Sequence, residues 1–116
     1  MADCRIHPTD VLANYVANLR YEELPEEVVD YTKVLVLDFL ASALAGRQVN
    51  GIFNEIVVKV VCSMGGAEQS SILFGNQKLP ACNAAFINGV YGHGADIDDG
   101  HRTAQGHPGV AVIPAI

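Results

Sequence analysis

PEEVVDYTKVLVLDFLASALA, residues 25–45, is the stretch that decides the fold class. Pro25 suits a first helical position, and Glu26 and Glu27 stand where the positive end of a helix dipole favours acidic side chains. From Val34 to Leu40 the run is apolar nearly all round, as in a helix covered by neighbours on several sides. Ala41, Ser42, Ala43 and Ala45 leave its far end narrow, so another helix can approach closely there, and Gly46 is the expected stop. Asp38 breaks the apolar run; the expectation for it is a half-buried carboxylate paired with a cap or a basic side chain.

Helical signals continue on both sides. Upstream, Val11, Leu12, Tyr15, Val16 and Leu19 recur at helical spacing after Pro8, with Thr9 or Asp10 placed to cap orphan N–H groups. Downstream, Ile52, Phe53, Ile56, Val57, Val60 and Val61 predict a helix over 51–64, ended by Gly65-Gly66. Its β-branched content suits a strand in part, but its length favours a helix. Ser70 to Phe74 leans toward extended structure and closes at Gly75-Asn76, which predicts a minor hairpin. A further helix runs from Pro80 to about Tyr91, with Ala81, Ala84, Ala85 and Asn88 giving it a small-residue face. Asn88 is either a C-cap or a site residue. The expected fold is therefore all-α, a helical bundle with at most a short extended segment. The final run Val112 to Ile116 has no stop signal, so the expectation is an element that continues.

Composition narrows the partners. With 116 residues, half of them hydrophobic, the chain fits one small domain with a buried core. A formal charge of −6 with only seven Lys and Arg leaves no basic stripe for nucleic acid. Cys4, Cys62 and Cys82 form neither a CxxC pair nor a disulfide framework, in keeping with a reducing compartment. No secretory signal pattern is present, and the most apolar stretch is too short to span a bilayer, so the expected location is cytoplasmic, away from membranes.

Polar chemistry gathers in YGHGADIDDGHRTAQGHPG, residues 91–109, which holds three of the four histidines and three of the thirteen acidic residues. Glycines at 92, 94 and 100 weaken a helix, so their concentration points to a backbone that bends or admits a ligand. Three carboxylates within four residues repel one another unless His or Arg charge compensates, a condition suited to general acid/base work. If the helix continues past Gly94, His93 and Asp96 share a face and Asp98 points elsewhere. His93, Asp96, His101 and His107 are also of a type that binds zinc or iron, although the spacing matches no tight motif. An EF-hand is excluded because the glycine arrives one place early and the twelfth residue from Asp96 is His107. After His107, either a helix starts at Pro108, leaving free N–H groups as an anion site, or an extended link leads to a helix at Pro114.

Asn88-Gly89, HGADIDDGHR (93–102), GHPG (106–109) and Pro114-Ala115 resemble the signature of the MmgE/PrpD family, whose members include 2-methylcitrate dehydratase, cis-aconitate decarboxylase and iminodisuccinate epimerase. The segment from Leu37 to Ala41 and the ending Leu44-Ala45-Gly46 are similar to that family's first long helix. The resemblance spans essentially this whole chain but only the opening part of the family's longer chains. It implies the N-terminal part of a large helical domain, lacking the inserted α+β lid and the C-terminal part, and therefore one wall of a site. The implied activity is a metal-independent, cofactor-free lyase or isomerase acting on a small di- or tricarboxylic acid. By the same likeness Asp96 and His107 match catalytic positions. His93 and Asp99 support them. From the charge balance and not from the likeness, His101 and Arg102 are further candidate substrate-binding residues, since an acid bound to a chain of this negative charge needs a local cation, and Arg102 is the cation for a substrate carboxylate. Gly100 departs from the pattern, since dehydratase and decarboxylase members often place Thr there, and His101-Arg102 has no clear match in the decarboxylase.

Two other classes remain open at this level. One is a catalytically inactive helical piece that associates through apolar faces, as a homodimer or higher homo-oligomer. The other is a small His/Asp metal-binding protein, which would carry stoichiometric metal when purified without chelator.

Overall fold

A computed structural model describes residues 7–116, so Cys4 lies outside the described residues. The helices are α1 (Pro8–Asn18), α2 (Glu26–Val49), α3 (Gly51–Ser63), α4 (Ala81–His93) and α5 (Pro108–Val112). Short 3-10 turns cover Tyr21–Glu23 and Ile113–Ala115, and two strands, β1 (Ser70–Ser71) and β2 (Lys78–Leu79), form a small antiparallel hairpin. The fold is all-α with this one minor extended segment among the described residues. None of those helices is long and apolar enough to cross a membrane.

Two compact units divide inside α2, at Tyr31 and Thr32. In the first, α1 starts at Pro8, whose fixed φ and missing N–H suit that position. The expected caps from Thr9 or Asp10 do not form. His7 is the N-cap residue, and its carbonyl accepts the N–H groups of Asp10 and Val11 at 2.9 and 3.2 Å. Val11, Leu12, Tyr15, Val16 and Leu19, the periodic apolar set, all stay exposed.

The second unit is organised around α4. Ala84, Ile87, Asn88 and Tyr91 recur at the i, i+3, i+4, i+7 spacing of one helix face, and all four are buried. Phe39 and Ala43 from α2, Val61 from α3, and Ile72 and Leu79 from the hairpin complete the core with them. Burying each large apolar side chain of this set is worth about 1.5–3 kcal/mol relative to exposure. Gly65, at φ 67°, stops α3 as its sequence predicts, because glycine enters the left-handed region without a Cβ penalty.

Several sequence expectations are revised here. α2 does not stop at Gly46 but runs three residues further, to Val49. The glycine is needed for contact: a Cβ on Gly46 would lie 2.1 Å from the Tyr91 carbonyl oxygen and 3.0 Å from Gly94 Cα. Asn54, buried in α3, fixes the same junction by donating its amide to the Gly46 and Arg47 carbonyls at 2.9 and 3.1 Å. Asn88 is not a C-cap, because α4 runs on to His93. Its Oδ1 accepts the Leu73 N–H at 2.8 Å and its Nδ2 donates to the Ser71 carbonyl at 3.2 Å, stapling the hairpin to α4. Asp38 is half-buried as expected, yet its Oδ2 is enclosed with no hydrogen-bond partner among the described residues.

Candidate active site

The site begins where α4 ends. His93 is its last residue, and the Gly94 N–H returns to the Tyr91 carbonyl at 3.2 Å. Gly94 is pressed against Gly46, and the Asn50 amide donates to the Gly94 carbonyl, so the helix end is held from the α2–α3 corner. Two residues on, Asp96 takes φ 53°, a left-handed conformation that short polar residues tolerate better than most. The Asp96 N–H bonds the His93 carbonyl at 3.2 Å and the chain doubles back.

That reversal decides the site. Because α4 does not continue past Gly94, Asp98 does not point elsewhere; it lies beside His93. The Asp98 side chain is 1% exposed, with Oδ1 3.0 Å from His93 Nδ1 and Oδ2 3.2 Å from His107 Nδ1. His93 makes the hydrogen bond. His107 Nδ1 is equally close but enclosed with no hydrogen bond formed, so its approach is one of distance without alignment. The two imidazoles meet edge to face, with centroids 4.7 Å apart. Asp96 completes the group: His93, Asp96, Asp98 and His107 each offer one ligand atom, and these atoms all lie within 4.8 Å of one another.

The other expected residues sit differently. Asp99 turns to the start of α5, where its two carboxylate oxygens accept the Gly109 N–H at 2.9 and 3.2 Å. A helix does start at Pro108, but the anion position expected beside His107 is taken by the chain's own carboxylate. Gly109 permits that approach, since a Cβ there would lie 2.3 Å from Asp99 Oδ1. His101 and Arg102 are exposed on the loop between. The His101 N–H bonds the Gly106 carbonyl at 2.9 Å, and its Nδ1 accepts the Ala104 N–H at 3.0 Å, which closes the loop on itself. Of the four residues of metal-binding type, three converge, and Asp98 stands in place of His101. Two imidazoles and two carboxylates are donors that zinc or iron accepts, so the set fits a metal by type and proton transfer by arrangement.

His93 also borders an open cleft of about 710 Å³. Its walls are apolar, with Phe53, Phe86, Val90, Val110 and Pro114 among them, while Asn50 and His93 supply polar groups. A polar cluster at the edge of an apolar cleft is the usual composition of a small-molecule site.

The MmgE/PrpD N-terminal domain matches residues 10–116, nearly the whole chain. The chain belongs to the MmgE/PrpD family. Among curated MmgE/PrpD relatives, cis-aconitate decarboxylase of Aspergillus terreus is 28% identical over 108 residues, covering 93% of this chain and 22% of that protein. The Homo sapiens and Mus musculus proteins of the same name are 29% and 28% identical over 110 residues, again covering 93% of this chain and 22% of each. The chain thus spans about a fifth of the length of the MmgE/PrpD relatives it matches. No solved structure matches it significantly.

Proposed function

We propose that this chain is the N-terminal part of the helical domain of a metal-independent lyase or isomerase, and forms one wall of its active site. The substrate is a small di- or tricarboxylic acid, and the reaction is general acid/base proton transfer next to a carboxylate, as in a 2-methylcitrate dehydratase. Family membership supports the class, and the relatives named cis-aconitate decarboxylase support the substrate type. The observation that carries the reading is the convergence of His93, Asp96, Asp98 and His107 within 4.8 Å, with His93 on the wall of a cleft.

In this reading Asp96 and His107 exchange protons with substrate. A base removes a proton beside the carboxylate, and an acid protonates the leaving hydroxyl or the carbanion. His93 contacts the substrate from the cleft side. His101 and Arg102, on the exposed loop, supply a donor and a cation for a carboxylate, an ion pair that offsets the negative field of a chain carrying −6. Asp99 contributes from behind, by fixing the first turn after His107. The lid and the C-terminal part of the domain, supplied by the rest of the enzyme, close the opposite wall. The exposed apolar residues of α1 and α2, such as Leu12, Val16, Val34 and Leu37, support a homodimer or higher homo-oligomer.

The same apolar faces favour a second reading, a helical self-associating piece without activity, and the donor set keeps a metal protein in contention. One assay separates all three. The intact protein, given a panel of citrate-like and succinate-like acids, is expected to turn over at least one of them, with the rate unchanged by EDTA and with metal well below one equivalent by mass spectrometry. Stoichiometric metal with EDTA-sensitive turnover supports the metal protein, and inertness toward the whole panel supports the inactive piece.

A further inference from the structure

The geometry points to Asp98 as the positioning residue of this site, a buried carboxylate beneath the His93 and His107 rings that fixes the tautomer and facing of His93 without touching substrate. The inference rests on the acid/base reading above for its consequence in turnover, but its structural content stands apart from it.

Three observations carry it. First, the Asp98 side chain is 1% exposed, whereas those of His93 and His107 are 51% and 37% exposed. The carboxylate is therefore shut in beneath two rings that reach the surface, and an incoming molecule meets imidazole first. Second, both short approaches are made by the same ring atom: Nδ1 of His93 at 3.0 Å and Nδ1 of His107 at 3.2 Å. An ionised carboxylate only accepts hydrogen bonds, so the bond it makes places the proton on Nδ1 of His93 and leaves Nε2 as the atom available for proton exchange. Third, His93 Nδ1 reaches both carboxylate oxygens, Oδ1 at 3.0 Å and Oδ2 at 3.2 Å, while Oδ2 also lies 3.2 Å from His107 Nδ1, with the ring centroids 4.7 Å apart. His107 lies close to Oδ2 without forming a hydrogen bond there.

The second carboxylate of the DIDD run is thereby distinguished from its neighbours. Asp96 is exposed and faces the shared space, Asp99 is committed to the Gly109 N–H, and Asp98 alone is buried between the rings.

Asp98→Asn tests this in the intact protein, because the amide keeps the size of the side chain and can present a donor where the carboxylate only accepts. Two readings are taken. In ¹⁵N-histidine spectra the His93 ring is expected to move from the Nδ1–H form toward the Nε2–H form, with circular dichroism unchanged. On the acid that wild type turns over, kcat is expected to fall about 10³- to 10⁴-fold, as for other wrong-tautomer carboxylate-to-amide changes, with KM within about threefold. An unchanged tautomer in a folded variant overturns the inference, as does a loss confined to KM. Should wild type prove inert toward the acid panel while the tautomer still shifts, the positioning role stands and the proposed reaction falls. If the Asn variant does not fold, the tautomers of wild-type His93 and His107 decide alone: Nδ1–H on His93 supports the inference and Nε2–H refutes it.

Discussion

Replacing His107 with alanine in the intact protein is expected to lower kcat on its own acid substrate by about 10²- to 10⁴-fold, the usual loss when a general acid or base is removed. The change deletes a half-buried ring that no formed hydrogen bond at Nδ1 anchors, so the structural cost at that atom is small. Asp98 keeps its bond to His93, and the buried carboxylate is not orphaned. Asp99 still holds the Gly109 N–H, so the first turn of α5 persists. Catalysis and folding are therefore separable at this position. The check is steady-state kinetics beside a thermal melt: a large fall in kcat with a melting temperature near wild type is the expected pair. Unchanged turnover removes His107 from the acid/base role.

Gly46→Ala is expected to be the most damaging single methyl in the fold. Its Cβ would sit 2.1 Å from the Tyr91 carbonyl oxygen and 3.0 Å from Gly94, both backbone atoms of the α4 end that cannot swing aside as a side chain would. The helices must part, which disturbs the Asn54 bond to Gly46 and the Asn50 bond to Gly94 together. Overpacking of this kind costs about 1–3 kcal/mol, occasionally more, and outweighs the gain of up to about 1 kcal/mol that alanine brings to a helix interior. The upper end of the cost is expected here, a fall in melting temperature of roughly 10–20 °C for a unit this small. Gly51→Ala is the control: a Cβ there meets nothing within 4 Å, so its melt is expected to equal or slightly exceed wild type. Equal melts for the two variants would contradict the close contact. Because Gly46 also seats Gly94, the residue after His93, the weaker fold carries a looser site with it.

The contrast between these glycines shows which features the sequence made legible. Apolar residues at a 3.6-residue spacing placed α1 and α3 and a nearly all-round apolar run placed α2, although the α1 set stays exposed, and Gly65-Gly66 and Gly75-Asn76 marked their turns because the backbone there has few alternatives. Gly46 carried the same letter for a different physical reason. A stop and a close helix contact both require the absence of a Cβ, and only the position of α4 distinguishes them. Asn88 followed suit: its staple to Ser71 and Leu73 is made across fifteen to seventeen residues, and no local pattern encodes that pairing.

The polar cluster was legible as a cluster and not as an arrangement. His93, Asp96 and His107 do converge, and His101 does not. Asp98 was missed because its place depends on two backbone events, the end of α4 at His93 and the left-handed turn at Asp96, that must both occur for residue 98 to fold under residue 93. The usable signal was Gly94, which weakens the continued helix on which the i, i+3 pairing of His93 with Asp96 depended. The partner of Asp99 was not legible for a related reason. A helix that starts at Pro108 leaves the Gly109 N–H in need of an acceptor, and a carboxylate ten residues upstream of it is as good a supplier as a bound acid.

The central claim is that these side chains move protons on an organic acid, and deuterium uptake from solvent measures that event itself. The intact protein is incubated in D₂O with the acid panel, and proton NMR follows the carbons beside the carboxylates. The account predicts that deuterium enters one such carbon of substrate or product with wild type, and at a rate lower by at least about a hundredfold with His107→Ala. Turnover of an acid with no deuterium at any of those carbons, or equal uptake with both proteins, would contradict it.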